Sequence, residues 1–276
     1  MLIRGGRVID GAGERRADVR TGNGRVQEVA EGLEPRPREE VYEATGKLVV
    51  PGGVDAHTHM QLPVGALRVS DDFASGTKAA AVGGTTTIID YVTVARGQDP
   101  MAAVAQWRAW AEPSAVDWGL HLTYTEPVPE AVVAAGVEAG ITSFKLYLAY
   151  PDRLQVDDGT VLGLMRSARN QGALVTLHCE NGAAIEELRR EALAAGRTAV
   201  VEHARTRPPA LEGEAVSRAA LLAELTGAAI YIVHVSSADA LGAVSAARER
   251  GVQIYAETCP QYLYLSTAKL EGPDGP

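Results

Sequence analysis

From Lys47 onward, short apolar runs rich in Val, Ile, Leu and Thr alternate with longer stretches rich in Ala and charged residues. Such runs, bounded by Gly, Pro, Asn or Asp, predict buried strands, and the stretches between them predict helices. The pattern places strands near 48–54, 86–91, 118–124, 142–148, 173–178, 229–234 and 252–257. Asp99-Pro100 reads as a helix N-cap with proline in the first turn, and Gly83, Gly140, Gly196 and Gly251 fall where helices end. Pro208-Pro209 and the charges around it read as a surface loop. Before Lys47 the runs are shorter. Leu2-Ile3, Arg7-Val8-Ile9, Asp18-Val19-Arg20 and Arg25-Val26 read as strands separated by turns at Gly5-Gly6, Gly11-Ala12-Gly13 and Gly22-Asn23-Gly24. Residues 1–47 are therefore expected to form a small β layer, part of a β-sandwich, with a surface segment around Pro35 and Pro37 leading into a barrel over 48–276.

Strands alternating with helices predict an α/β fold with a parallel sheet, and here a TIM-type (β/α)8 barrel. A chain of 276 residues with 46% apolar content is long enough for one such barrel of about 250 residues. The count falls one short. No strand signal follows the seventh run, and Glu271-Gly272-Pro273-Asp274-Gly275-Pro276 reads as loop. The barrel is expected to lack its eighth strand and to carry two open edges, as in a fragment, a chain completed by another polypeptide or a truncated relative of a complete enzyme.

Charge narrows the partners. A net charge of −9 argues against nucleic acid or an anionic membrane as partner, since both demand a basic face. No run of about 18 apolar residues suits a membrane span, and Met1-Leu2-Ile3-Arg4-Gly5 does not open a signal peptide. Two cysteines, Cys179 and Cys259, give no disulfide framework, so the expectation is a cytoplasmic protein.

The chemistry begins at His57-Thr58-His59, which ends the first apolar run. Side chains alternate along a strand, so both imidazoles point one way at its exit and can close on one metal ion. Alone the pair is weak, because two histidines at a strand end are often polar rim residues. Three later runs each carry a basic residue within or at the end: Lys145, His178 and His234. The carboxyl ends of barrel strands meet at one face, so His57, His59, Lys145, His178 and His234 are expected to converge. Lysine usually snorkels or joins an ion pair; four histidines argue for a functional Lys145. Asp55, Asp90, Glu180 and Glu257 fall near the same face and read as hydrogen-bond partners rather than ligands. Strand alternation aims Cys179 away from His178, and both cysteines read as buried inert thiols. His121 reads as a satisfied barrel residue and His203 as a surface one.

Six blocks carry a resemblance: Pro51-Gly52-Gly53-Val54-Asp55-Ala56-His57-Thr58-His59, Gly83-Gly84-Thr85-Thr86-Thr87, Ser143-Phe144-Lys145-Leu146-Tyr147-Leu148-Ala149-Tyr150-Pro151, His178-Cys179-Glu180-Asn181, Val233-His234-Val235-Ser236 and Glu257-Thr258-Cys259-Pro260-Gln261-Tyr262. In this order, over essentially the whole chain, they resemble the D-hydantoinase and dihydropyrimidinase family of cyclic amidohydrolases. The resemblance implies that His57 and His59 hold one zinc, that His178 and His234 hold a second, and that carboxylated Lys145 bridges the two Zn2+. A carbamate offers two anionic oxygens where an ammonium offers none. The implied activity is hydrolysis of the ring amide of a cyclic ureide, hydantoin or dihydropyrimidine, to an N-carbamoyl amino acid by a metal-bridging hydroxide. Tyr150 would donate to the developing oxyanion; without the resemblance it reads as a rim aromatic.

The family's general-base aspartate belongs to the eighth strand, and no residue of this chain is assigned that role. Gln61 stands where dihydroorotases carry a carboxylate-binding arginine, which points to an uncharged ring. Leu62, Val64 and Leu67 fall on the loop that shapes the pocket for the exocyclic substituent, so a hydrophobic or absent substituent is expected. The resemblance also implies a homotetramer. Two alternatives remain: an inactive or truncated non-catalytic relative, and an allantoinase-like cyclic amidohydrolase.

Overall fold

The structure, a computed structural model, describes Met1–Glu271; the loop expected over 272–276 lies outside the described residues. The chain forms two compact units, Met1–Val54 with Gly84–Thr86, and Asp55–Gly83 with the chain from Thr87 on.

In the first unit β1 (Leu2–Asp10), β2 (Gly13–Gly22) and β3 (Arg25–Ala30) form an antiparallel meander, and β4 (Val41–Glu43) and β5 (Leu48–Val49) pair parallel to β1. Asn23 and Gly24, with φ of 52° and 70°, supply the left-handed pair that a two-residue hairpin turn requires. The turn expected at Gly5-Gly6 is absent. β1 runs through it as a bulge, where the register shifts between Ile3 and Gly6 and the Gly5 N–H donates to the buried Asp18 carboxylate at 2.6 Å. The strand expected over 48–54 is also divided. Pro51 has no N–H to give a ladder, so Leu48–Val49 stays with β1 and the next strand, β6 (Gly53–Thr58), begins beyond it.

After β6 come a hairpin of β7 (Pro63–Val64) and β8 (Leu67–Arg68), then α1 (Phe73–Val82), β9 (Thr85–Thr93), α2 (Pro100–Ala111), β10 (Asp117–Thr123), α3 (Glu130–Glu138), β11 (Ser143–Tyr147) and α4 (Asp158–Asn170). The chain continues through β12 (Leu174–His178), α5 (Gly182–Ala194), α6 (Glu202–Arg205), α7 (Pro209–Thr226), β13 (Ile230–Ile232), α8 (Ala238–Glu249) and β14 (Ile254–Ala256). The seven strands β6 and β9–β14 make one sheet whose spatial order follows the chain, with parallel pairing from β9 to β14. That is the topology of a (β/α) barrel wall, as the alternation predicted. Among the described residues no eighth strand joins it, so β6 and β14 each have one neighbour in the sheet.

Local signals explain the elements. Asp99 caps α2 by accepting from the N–H groups of Met101 and Ala102, with Pro100 behind it, as read from the sequence. Pro209, expected in a loop, instead opens α7, since proline at the first helical position gives up an N–H that would have no partner there. Gly83 closes α1 as read from the sequence, and Gly84 just beyond it takes the left-handed conformation. Among the described residues, no helix is long and apolar enough to cross a membrane.

Strand alternation sorts the side chains. Phe144, Leu146, Val175, Leu177, Ile230 and Ile232 are buried in the main apolar core, together with Leu164, Met165, Val216 and Ala220 from α4 and α7. The intervening residues form a lateral rung, Thr93, Thr123, Lys145, Thr176 and Tyr231, paired strand to strand. Lys145 thus lies on the opposite face from Phe144 and Leu146. Phe144 touches no solvent, and a Cβ added at Gly136 of α3 would stand 3.0 Å from its ring. Truncating it leaves a cavity that the helix cannot fill. Phe144→Ala should cost about 3–5 kcal/mol, measured as a lower urea midpoint at unchanged slope.

Candidate functional site

The strand ends bring four histidines into one chain of contacts. Ring centroids lie 5.2 Å apart for His57 and His59, 5.5 Å for His57 and His234, and 4.7 Å for His178 and His234. Lys145 sits among them. Its Nζ lies 5.2 Å from the ring centre of Tyr91, which is itself 4.8 Å from His57 and 5.1 Å from His59. On the other side it is 4.9 Å from the Tyr147 ring, and that ring is 5.3 Å from His178.

The electrostatics of this cluster follow from burial. Lys145 is 1% exposed, and loss of water pulls its amine down to about 7. Burial, then the neighbouring basic groups, lowers His59 to about 3 and His234 to about 2, and burial lowers His178 in the same direction. These imidazoles are neutral at physiological pH, the form that offers a lone pair. His57 Nδ1 contacts the Glu257 carboxylate, whose other oxygen accepts from the Tyr231 hydroxyl at 2.9 Å. His178 Nε2 meets Glu180 at 2.8 Å, which turns its Nδ1 toward His234 Nε2, 2.9 Å away.

Whether these residues fit a metal rests on what they leave unsatisfied. Among the described residues, Lys145 Nζ and His59 Nδ1 are buried without a hydrogen-bond partner. Among the described residues, no three His, Cys, Asp or Glu side chains surround a common point at ion-holding distances. The donor set fits nonetheless once Lys145 counts as a member. The imidazole nitrogens of His178 and His234 face each other, carboxylates occupy the outer nitrogens of His57 and His178, and a buried amine with its pKa pulled down to about 7 lies among them.

The other expected residues take varied positions. Tyr150 has a left-handed backbone, φ 67°, and its ring lies 5.1 Å from that of His178; burial raises its hydroxyl pKa. His234 (φ 41°) and Gln61 (φ 56°) are left-handed as well, an expensive conformation for non-glycine residues. Leu62 is half-buried, whereas Val64 and Leu67 on the β7–β8 hairpin are 47% and 76% exposed. The hairpin is closed at its base by the Gln61 N–H to the Asp71 carbonyl (2.8 Å) and the Val69 N–H to the Leu62 carbonyl (3.0 Å). Both ring nitrogens of His121 are bonded, to Ser143 Oγ at 2.5 Å and to the Ala56 carbonyl at 3.0 Å, and His203 is exposed. Cys179 is buried with its thiol pushed up to about 12, while Cys259 is only partly buried.

One residue escaped the sequence reading, and Asp90, read there as a hydrogen-bond partner, takes bonds that were not foreseen. Tyr91 is 1% exposed and stacks on His121 at 4.4 Å, filling the space between the first histidine pair and Lys145. Its place next to Asp90 was the available signal, since alternation sends it to the opposite face. Asp90 points to the helix side, where it accepts from Trp107 Nε1 (3.1 Å), Thr58 Oγ1 (3.0 Å) and the Met60 N–H (2.7 Å). It thereby grips both neighbours of His59.

Burial raises Asp90 from 3.8 to about 6. An acid whose folded pKa is raised adds stability fully present below about pH 4 and lost as pH rises through about 6. Relative to Asp90→Asn, the wild-type protein should therefore lose about 3 kcal/mol between about pH 4 and pH 7 in urea titrations; parallel profiles would refute this.

Known proteins agree with this architecture. The chain is 43% identical over 277 residues to a D-hydantoinase of Geobacillus stearothermophilus, covering 99% of this chain and 59% of that relative. It is 39% identical over 263 residues to dihydropyrimidinase 2 of Caenorhabditis elegans, covering 93% of this chain and 50% of the relative. The crystal structure of a dihydropyrimidinase from Brevibacillus agri superimposes with a TM-score of 0.96 at 41% identity, over 99% of this chain and 60% of that one. The chain therefore spans about half to three-fifths of the length of these relatives, and what it shares with them includes the TIM-type barrel wall. The model of the amidohydrolase family matches residues 48–265, the stretch that carries every histidine of the cluster and Lys145, and the chain belongs to that family.

Proposed function

We propose that this protein hydrolyses the ring amide of an uncharged cyclic ureide, a hydantoin or dihydropyrimidine, to an N-carbamoyl amino acid. The observation that carries the reading is the buried Lys145 amine, with no hydrogen-bond partner among the described residues, beside neutral imidazoles, in a chain 43% identical to a D-hydantoinase. His57 and His59 would hold one zinc and His178 and His234 a second. Bound there, zinc would lower the pKa of a coordinated water toward 7 and polarise the substrate carbonyl.

The chain's own residues do the rest. The neutral form of the Lys145 amine, populated near pH 7, attacks the carbon of carbon dioxide; a nitrogen–carbon bond forms as one carbon–oxygen π bond opens and the nitrogen releases a proton, so the lysine becomes a carbamate with two oxygens to share. Glu257 and Glu180, bonded to His57 and His178, hold those rings in one orientation and tautomer. The Tyr150 phenol is protonated at neutral pH and burial raises its pKa further, so it can donate to the carbonyl oxygen as charge develops. In ring opening the oxygen of water adds to the amide carbon and the carbon–nitrogen bond breaks; the carbon ends as a carboxylate and the nitrogen takes a proton from that water. Gln61 in place of a cation, and the apolar Leu62, Val64 and Leu67, suit a neutral ring with a hydrophobic substituent or none. A homotetramer in the cytoplasm completes the proposal, in keeping with two unpaired cysteines.

Two experiments test it. Protein prepared with zinc and bicarbonate should bind two zinc ions by elemental analysis, and Lys145→Ala should lose the two-metal centre; unchanged zinc content would refute the bridging role. Tyr150→Phe should lower kcat on hydantoin or dihydrouracil by about 100- to 1,000-fold with little change in KM.

A further inference from the structure

We propose that the first turn of α7 sets the separation of His178 and His234, with Glu212 as its positioning residue. The proposal rests on the reading of those histidines as ligands. His178 ends β12 and His234 follows β13, so the two imidazoles ride on separate exit loops. Both loops are bonded to one helical turn. On one side the Asn181 N–H donates to the Leu211 carbonyl at 3.1 Å, and Asn181 Nδ2 donates to the Glu214 carboxylate at 2.9 Å. On the other, the two oxygens of Glu212 accept the Ser236 N–H at 2.9 Å and its hydroxyl at 3.0 Å. Between them lies Gly213. A Cβ there would stand 2.8 Å from Asp239 Cβ and 3.1 Å from the Asp239 carbonyl carbon, so the bare backbone lets α8 start directly against this turn.

Two observations give Glu212 more than a packing role. It is 9% exposed and forms no ion pair with Lys or Arg among the described residues, so a buried anion is spent on one serine. That serine lies two residues beyond His234, whose φ of 41° persists only where the surroundings hold it. Of the remaining bonds of that segment, Val233 N–H to the Leu177 carbonyl (3.2 Å) and Val235 N–H to the Glu257 carbonyl (2.7 Å) are main-chain ladder bonds, and the Glu257 carboxylate accepts the His234 N–H. Glu212 supplies the side-chain anchor on the α7 side, beyond His234.

The test compares zinc binding by competition titration in wild type, Glu212→Ala, Glu212→Gln, Ser236→Ala and Glu202→Ala. Glu202 is a control, a buried carboxylate that pairs with Arg197 and Arg205 and bonds neither loop. Glu212→Ala should weaken one zinc site about 10- to 100-fold. Glu212→Gln keeps a carbonyl for the Ser236 N–H and should restore affinity, Ser236→Ala should lose less than Glu212→Ala, and Glu202→Ala should bind zinc normally whatever its melting temperature. Wild-type affinity in Glu212→Ala, or an equal loss in Glu202→Ala, overturns the proposal. Metal-free protein gives an independent readout: the ring-proton resonances of His178 and His234 should shift in Glu212→Ala and not in Glu202→Ala. A wild type that binds no zinc would sink the ligand reading, while those resonances still decide whether Glu212 sets the two rings.

Discussion

An amine with no anion beside it is a costly thing to bury as an ammonium, and the arrangement around Lys145 follows from avoiding that cost. Its neighbours on the rung are hydroxyl-bearing Thr123 and Thr176, and the rings near it are aromatic or imidazole. The carboxylates Glu180 and Glu257 stand outside the imidazoles, on nitrogens turned away from the cluster. The interior is therefore rich in lone pairs and poor in charge. Such a pocket attracts a cation and rewards any chemistry that turns the amine into an anion.

That arrangement needs support from elements that do not carry the site themselves. Asp90 ties both neighbours of His59 to Trp107 of α2. The first turn of α7 ties down the segments beyond His178 and His234. In each case a carboxylate behind the sheet holds the flank of a histidine in front of it, so helix packing is passed to the imidazoles as position. The core residues around Phe144 and along α7 set where those anchors stand.

Much of this could be read from the residues. Apolar runs separated by helix signals identified the seven sheet strands, because Val, Leu, Ile and Phe on the core face dominate each run even where Thr, Lys or Tyr occupies the other face. The convergence of His57, His59, Lys145, His178 and His234 followed from where barrel strands end. Boundaries failed where one residue governs the backbone: Pro51 moved the start of β6, Gly5-Gly6 made a bulge in place of a turn, and Pro209 began a helix. The supports were illegible for a different reason. Glu212 and Ser236 lie 24 positions apart, and their pairing depends on how α7 packs, which no local pattern encodes.

The β7–β8 hairpin, sealed at its base by two main-chain bonds, has a different kind of independence. Those bonds use no side chain, so any six residues that can turn between Leu62 and Val69 satisfy them equally well. The segment is in effect an exchangeable cassette inserted immediately after the His57-Thr58-His59 run. Variation in its length and lettering can accumulate without disturbing the histidines, so the surface beside that run is free to drift while the run itself stays put.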